Sequence, residues 1–365
     1  MPLDTVIAKL ENQYYTMEQP NPIKSLAGEN FAGVHKAFFN AMAKCNEGHV
    51  SSYGGDSFSL SAIRRFDQEF KGMAGVHFTF NGTGANVFGL STMVRGFHGV
   101  LCTDTAHIYC DESTAPETII GGRLIPVETQ DGKMLPEAIE RKIRLNGNPH
   151  AAQINAISIT QSTEMGTVYS LDELRKIAGI AKKHGLLLHM DGARLYNAAA
   201  HLNCSLSALT SEIGIDVLSL GGTKNGMMFG EAVVFFNPEL YAQSAFFLKR
   251  STHLISKMRF VSSQFEVMLT DSLWLKIASH TNSLAQRLAG GLEKIESVKI
   301  TMPVQANAVF VIFPIDWIET LRKVMYFHMW NEEIQEVRLM CSFDLTSSDI
   351  DDFIMAVKRL AEQQG

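Results

Sequence analysis

The sequence predicts an α/β fold, with a mostly parallel central sheet covered by helices and a smaller α+β C-terminal domain. Between residues 76 and 236, short apolar runs alternate with longer helical stretches. These runs are apolar on both faces, which is typical of parallel strands buried between helix layers. After residue 238 the pattern becomes mainly helical and then α+β. We therefore predict a large domain over residues 1–259, including an N-terminal segment, and a small domain over residues 260–365.

The first region contains seven apolar runs with the length and composition of strands: HFTF, GVLCTD, RLIPVE, AISIT, LLLHMD, VLSL and AVVFF. The helix with the clearest start signal follows the fourth run, where Ser170 and Glu173 form a capping-box pattern. Gly185 ends this helix. Its apolar residues recur on one face and are Leu171, Leu174, Ile177, Ala178 and Ala181.

The last hundred residues predict three further strands and a terminal helix. The strands read VKITM, AVFVIF and EVRLMCSF, and the helix reads SSDIDDFIMAVKRLAEQ. The helix is amphipathic, with one apolar face formed by Ile350, Phe353, Ile354 and Val357.

Composition narrows the class of protein. The chain of 365 residues is 46% hydrophobic and 19% charged, with a net charge of −6 and no long basic run, so nucleic acid and anionic membranes are not expected partners. No window reaches about 18 uninterrupted apolar residues, and residues 1–13 lack a signal-peptide pattern. The five cysteines are scattered without C-x-x-C spacing, which predicts neither disulfides nor a metal site and favours a cytoplasmic protein.

Polar or glycine-rich motifs follow five of the predicted strands. They read NGTGAN, DTAH, TQSTE, HMDGAR and GGTKN. Ligands of open α/β sheets bind outside the carboxyl ends of the strands, so these motifs are expected to meet at one site.

NGTGAN, residues 81–86, combines a glycine turn with the start of a predicted helix. The free backbone amides of a helix start suit a phosphate group, although a tight turn alone also explains the motif. It is no dinucleotide fingerprint, because Val87 stands where a third glycine is needed, and it lacks the G-K-[ST] of a P-loop.

Three residues of the other motifs admit both a structural and a functional interpretation. Asp191 ends an apolar strand and either caps the next helix or pairs with a buried cation such as a protonated pyridine nitrogen. Arg194 is either a surface residue or a bidentate ligand for a carboxylate. His107 is either structural or a flat ring that stacks on a flat cofactor.

Lys224 lies in the glycine-rich loop GGTKNG, between two apolar strands. Such a lysine is usually solvated, but its small neighbours permit close approach of a ligand. A partly desolvated lysine has a lowered pKa and reacts with carbonyl groups. With the phosphate cradle and Asp191, this predicts pyridoxal 5′-phosphate, its aldehyde bonded to Lys224 and its ring nitrogen held by Asp191.

Two of these motifs extend into HMDGARLYNA and GGTKNG…GEAVVFF, which resemble the threonine aldolase and aromatic amino acid β-eliminating lyase family of fold-type-I pyridoxal-phosphate enzymes. The resemblance is to its low-specificity threonine aldolases and runs from about residue 25 to 351. Other matching stretches are ENFAGVH, NEGHVSSYGGD, FNGTGAN, AHIYCDE, TQSTEMGTVYSLDEL, KMRFVSSQFEVML and EVRLMCSFDLTSSDID.

The resemblance implies a role for each matching position. Lys224 forms the Schiff base, Asp191 pairs with the ring nitrogen and His107 stacks on the ring. The phosphate ligands are Gly82, Thr83 and Gly84, joined by Arg259 from a neighbouring subunit. The substrate carboxylate is held by Arg194 and Arg338, and Tyr53 lines the site across a subunit interface, which implies a homodimer or homotetramer.

The implied reaction is cleavage of the Cα–Cβ bond of a 3-hydroxy amino acid, such as threonine, allo-threonine or phenylserine, to glycine and an aldehyde. A β-eliminating lyase of the same family is the alternative. The intact Lys224 and Asp191 argue against an idle relative, and the missing third glycine argues against a nicotinamide oxidoreductase. The base is left open between His107, His35 and water.

One departure from the family pattern concerns residues 28–30, which read Gly-Glu-Asn where relatives often have Ser-Asp-Asn. That serine commonly helps to hold the substrate carboxylate, so this contact is not expected in the present chain.

Overall fold

A seven-stranded sheet forms the centre of the computed structural model, which describes residues 24–364. The N-terminal stretch searched for a signal peptide lies outside the described residues. In chain order the strands are β1 (Gly75–Thr79), β2 (His98–Thr103), β3 (Arg123–Val127), β4 (Gln153–Thr160), β5 (Leu187–Gly192), β6 (Val217–Leu220) and β7 (Glu231–Phe235).

The sheet is mostly parallel, as predicted. Its strand order is β1-β7-β6-β5-β4-β2-β3, and the neighbours from β6 to β3 pair in parallel, while β7 runs antiparallel to β1 and β6. The register sets Thr160 opposite Asp191 and Asp191 opposite Ser219. The carboxyl ends of β4, β5 and β6 therefore lie side by side.

Successive residues of each strand point to opposite sides of the sheet. Because both sets of side chains are largely apolar, helices pack on both faces. Ile157 and Ile159 of β4 belong to one apolar core, and Ala156 belongs to another. The helices up to residue 209 are α1 (Lys36–Cys45), α2 (Ser57–Glu69), α3 (Gly82–Met93), α4 (His107–Cys110), α5 (Ala115–Ile120), α6 (Pro136–Ile143), α7 (Leu171–Lys183), α8 (Leu195–Leu202) and α9 (Leu206–Leu209).

Helix α3 is buried from Gly84 to Met93 and packs on the face of the sheet. Its sequence is apolar on all sides, which is typical of a helix enclosed by the protein. A Cβ at Gly89 would lie 3.1 Å from Val217 and 3.6 Å from Val233, so the glycine permits close approach to β6 and β7. This packing fixes the N-terminus of α3 at the carboxyl edge of the sheet.

Helix α7 has the predicted capping box. Ser170 Oγ accepts a hydrogen bond from the Glu173 N–H at 3.2 Å, and Glu173 Oε2 accepts one from the Ser170 N–H at 2.7 Å. Of the predicted apolar face, Leu174, Ile177 and Ala181 are buried.

The C-terminal part contains a four-stranded antiparallel sheet and the remaining helices. Its strands are β8 (Lys299–Ile300), β9 (Ala308–Ile312), β10 (His328–Asn331) and β11 (Glu336–Met340), in the order β10-β11-β9-β8. Strand β10 was not predicted. The helices are α10 (Pro238–Arg250), α11 (Arg259–Leu269), α12 (Leu273–Leu292), α13 (Ile318–Arg322) and α14 (Ser347–Gln364).

The second core lies between the small sheet and its helices. Ile350, Phe353 and Val357 of α14 are fully buried there, as their spacing predicted. Helix α12 contributes to both cores, with Trp274 and Ile277 in the first and its later leucines in the second. The predicted division at residue 259 stays a prediction.

Within residues 24–364, no helix is long and apolar enough to cross a membrane, and no cluster of three or more metal-binding side chains occurs. The five cysteines are free.

Candidate functional site

A cavity of about 550 Å³ lies at the carboxyl edge of the central sheet and is closed on one side by β10 and β11. This volume is in the range of cofactor and small-molecule sites. Seven of the residues predicted for the site line it: Gly82, Thr83, His107, Asp191, Arg194, Lys224 and Arg338.

Lys224 is in a single turn of 3-10 helix, Thr223–Asn225, that follows β6. Burial and the neighbouring Arg194 guanidinium lower the pKa of Lys224. A Cβ at Gly221 would lie 2.3 Å from the Ala193 carbonyl oxygen, so the turn packs against the end of β5 as only glycine permits. Lys224 is partly exposed and lines the cavity, which favours the ligand-binding interpretation over that of a solvated surface lysine.

Glu231 closes the same turn from the antiparallel strand β7. Its Oε2 accepts a hydrogen bond from the Gly222 N–H at 2.5 Å. Burial raises the pKa of Glu231 to about 7. Glu231 belongs to the motif GGTKNG…GEAVVFF, but the sequence alone indicated no role for it.

Asp191 is buried at the end of β5, and both of its oxygens are hydrogen-bonded. Oδ1 accepts from the Ala193 N–H at 3.0 Å, and Oδ2 accepts from Asn86 Nδ2 at 2.9 Å. The next helix begins at Leu195 and has Arg194 as its N-cap residue, so Asp191 is not the N-cap of that helix.

A hydrogen-bonded chain connects Asp191 with His107. Asn86 Nδ2 also donates to Glu112 Oε1 at 2.9 Å, and this oxygen lies 2.8 Å from His107 Nδ1. The hydrogen bond to Glu112 raises the pKa of His107. Because Nδ1 is engaged, Nε2 is the ring nitrogen that a ligand can use. Asn86 and Glu112 stood in the quoted motifs, but sequence reasoning gave them no role.

The start of α3 supplies backbone amides to the cavity wall. Asn81 Oδ1 accepts from the Gly84 N–H at 2.8 Å, while the Gly82 and Thr83 amides belong to the first turn, where a helix has no internal acceptor. A Cβ at Gly84 would lie 2.0 Å from the His253 ring. Gly84 does not line the cavity, and its predicted phosphate contact stays a prediction.

Arg194 is largely buried, with 12% of its side chain exposed, and forms a bidentate ion pair with Glu29, so the surface interpretation is wrong. Nε donates to Oε1 at 2.7 Å and Nη2 to Oε2 at 3.0 Å, and Asn307 Nδ2 also donates to Oε1 at 2.8 Å. Burial alone raises the pKa of Glu29, but Arg194 lowers it to about 2. Glu29, which departs from the family pattern at residues 28–30, is thus the ion-pair partner of Arg194, a residue predicted to bind the substrate carboxylate.

Arg338 lies on β11, and its guanidinium lies 4.4 Å from the centre of the Trp330 ring. Trp330 and His328 belong to β10, and both line the cavity. Burial and the charge of Arg194 lower the pKa of Arg338 to about 10.

Besides Gly84, three residues considered from the sequence do not line the cavity. Tyr53 is 54% exposed, and Arg259 donates to the Gly48 carbonyl oxygen at 3.3 Å. Their contribution across a subunit interface stays a prediction. His35 caps α1, with Nδ1 accepting from the Ala37 N–H at 3.2 Å, so its position does not favour it as the base.

The fold is that of the fold-type-I pyridoxal-phosphate enzymes. The chain belongs to the β-eliminating lyase family, whose model matches residues 25–315. This confirms the family that the sequence motifs indicated.

Individual relatives agree with this membership. The low specificity L-threonine aldolase of a Pseudomonas species is 39% identical over 322 residues, covering 88% of this chain and 93% of that protein. The same-named protein of Pseudomonas aeruginosa is 39% identical over 323 residues, with the same coverage of 88% and 93%. A solved threonine aldolase structure from Leishmania major matches with a TM-score of 0.86 and 28% identity, covering 93% of this chain and 99% of that one.

Proposed function

We propose that this protein is a pyridoxal-phosphate-dependent aldolase that cleaves the Cα–Cβ bond of a 3-hydroxy amino acid to glycine and an aldehyde. The observation that carries the proposal is the convergence of Lys224, Asp191 and Arg338 on one cavity. The names of the 39% identical relatives support threonine-type substrates.

The residues of the cavity fit the cofactor. Lys224 is an amine of lowered pKa, as a lysine that bonds to an aldehyde requires. Asp191 is a buried carboxylate that suits a protonated ring nitrogen, and the Gly82 and Thr83 amides suit the phosphate. A Cβ at Gly82 would meet no atom within 4 Å, so this edge is open to a bulky anion. When bound, the cofactor supplies a protonated ring that accepts the electron pair of a bond broken at Cα.

Arg338 is the principal partner for the substrate carboxylate, because Glu29 already engages two nitrogens of the Arg194 guanidinium. Arg194 keeps Nη1 for a second contact. Two cations that grip one carboxylate fix the orientation of the amino acid and therefore the bond that is broken. The hydrogen bonds of Asn86 and Glu112 hold the His107 ring at the wall of the same cavity.

A β-eliminating lyase is the second candidate, and the description of the matching family model favours it. The two reactions use the same cavity and differ in whether the bond to Cβ or the β-substituent is lost. Threonine distinguishes them, because the aldolase releases glycine and acetaldehyde, whereas elimination releases an α-keto acid and ammonia.

A homodimer or homotetramer with the site at a subunit interface is part of the proposal. Exposed Tyr53, with a positive φ of 57°, and Arg259 are on the surface of one chain, where a second subunit can reach them. Five free cysteines suit a reducing compartment such as the cytoplasm.

The first experiment is optical. The purified protein should be yellow, and borohydride should fix the cofactor to wild-type protein but not to Lys224→Ala. Lys182→Ala, which changes an exposed lysine of α7, is the matched control and should behave as wild type. A colourless protein that takes up no pyridoxal phosphate refutes the proposal. Products from threonine then separate the aldolase from the eliminating lyase.

A further inference from the structure

Glu164 is a buried glutamate in the cavity wall that has no role in the function proposed above. Its Oε1 accepts hydrogen bonds from the His107 backbone N–H at 2.8 Å and from Thr160 Oγ1 at 3.0 Å. Its Oε2 is enclosed and has no hydrogen-bond partner among the described residues. An enclosed polar atom without a partner is costly, so its presence calls for a functional reason.

Building on the proposed aldolase function, we infer that Oε2 of Glu164 is the base that removes the proton from the substrate β-hydroxyl group. Two hydrogen bonds hold Oε1, and Glu164 lines the cavity, so Oε2, which is enclosed in the unliganded protein, has to turn toward the substrate when it binds. A hydroxyl group is a fitting ligand, because it donates the hydrogen bond that Oε2 lacks and is also the source of the proton.

The electrostatic surroundings suit this role. Burial and the charge of Asp191 raise the pKa of Glu164 to about 7, against the opposing effect of hydrogen bonds from the backbone N–H groups of His107 and of Glu164 itself and from Thr160. A base whose pKa lies near the working pH is the most effective one. The other titratable groups that interact with it are Cys102, Cys110, Tyr169, Arg194 and Arg338.

His107 is less suited to accept this proton. Its Nδ1 is already engaged by Glu112 Oε1 at 2.8 Å, and the family resemblance assigns its ring to stacking on the cofactor. His107 instead positions Glu164, since its backbone N–H is one of the two donors to Oε1.

The step balances without a further reactant. The hydroxyl O–H bond breaks and the proton passes to Glu164, while the oxygen forms the C=O bond of the aldehyde. The Cα–Cβ bond breaks, its electron pair stays with the glycine fragment and its cofactor, and a proton from water returns to Cα to complete glycine. Loss of the Glu164 proton restores the base.

The test compares Glu164→Gln with wild type, since glutamine keeps an acceptor for both donors but cannot take a proton. We expect the kcat for threonine cleavage to fall about 10²–10⁴-fold, and the acidic limb of the kcat/KM profile near pH 7 to disappear. Two readouts should stay within threefold of wild type: the Kd for pyridoxal phosphate, from absorbance titration, and the exchange of the glycine α-proton with D₂O, from NMR. Glycine has no β-hydroxyl group, so its exchange does not use the proposed base.

Two further variants keep the test decisive. Thr160→Val removes one hydrogen bond to Glu164 but keeps its carboxyl group. Glu164→Asp keeps a carboxylic acid and replaces the glutamine variant if that variant does not fold. Both should retain the acidic limb of the kcat/KM profile. The inference is wrong if Glu164→Gln cleaves threonine within threefold of wild type, or if glycine exchange falls as much as cleavage. A wild-type protein that exchanges the glycine proton but releases no aldehyde refutes the aldolase itself.

Discussion

Replacing the buried Glu29 by glutamine removes the counter-charge of Arg194 while keeping the size of the side chain. The carboxylate has a folded-state pKa of about 2 in place of the ordinary 4.5. At 1.36 kcal/mol per pH unit, this difference corresponds to about 3 kcal/mol of stability at neutral pH. This is in the range of about 3–5 kcal/mol that the loss of one partner of a buried ion pair costs.

The sign of the pH effect follows from the lowered pKa. The contribution of Glu29 is fully present above pH 4.5 and is lost as the pH falls through the folded-state value of about 2. Wild type should therefore lose about 3 kcal/mol over this interval that Glu29→Gln does not lose.

The assay is urea unfolding followed by tryptophan fluorescence, at pH 7 and at a series of pH values below 5. Glu362→Gln, at an exposed position of α14, is the matched control and should unfold as wild type. A stability of Glu29→Gln within 1 kcal/mol of wild type at pH 7 would show that the ion pair does not carry the energy assigned to it.

Three further predictions concern the ligand-binding residues. Gly28→Ser fits, because a Cβ there meets no atom within 4 Å, and its added hydroxyl should lower the KM for threonine about two- to tenfold. Arg338→Ala should raise that KM about 10–10²-fold, while the affinity for pyridoxal phosphate from absorbance titration stays unchanged. Glu112→Gln should lower the pKa of His107 in an NMR titration, because the hydrogen bond that raises it loses its charge. An unchanged KM contradicts the predicted carboxylate contact of Gly28→Ser or of Arg338, respectively. An unchanged His107 titration in Glu112→Gln contradicts the hydrogen bond between Glu112 and His107.

Features encoded within one short segment could be predicted from the sequence. The capping box of α7 and the positions of Asp191 and Lys224 depend on strand ends and loops a few residues long. Because parallel strands share one carboxyl edge, their order along the chain was enough to bring these residues together.

Features that depend on distant pairing could not be predicted. Glu29 and Arg194 are 165 residues apart, and the sequence flagged the departure at position 29 without indicating its partner. The orphan oxygen of Glu164 likewise depends on which donors the fold brings to the other oxygen. Strand β10 was missed because its four residues, His328–Asn331, are only partly buried or exposed, which leaves no continuous apolar run.

Helix α12 contributes side chains to both apolar cores, so the two parts of the structure unfold cooperatively. The small sheet that carries Arg338 cannot melt without exposing the later leucines of α12, and losing α12 also opens the core beneath the central sheet. Both halves of the binding pocket should therefore disappear in a single denaturation transition. A partly unfolded chain that keeps Lys224 in place but has lost the small sheet with Arg338 should not accumulate.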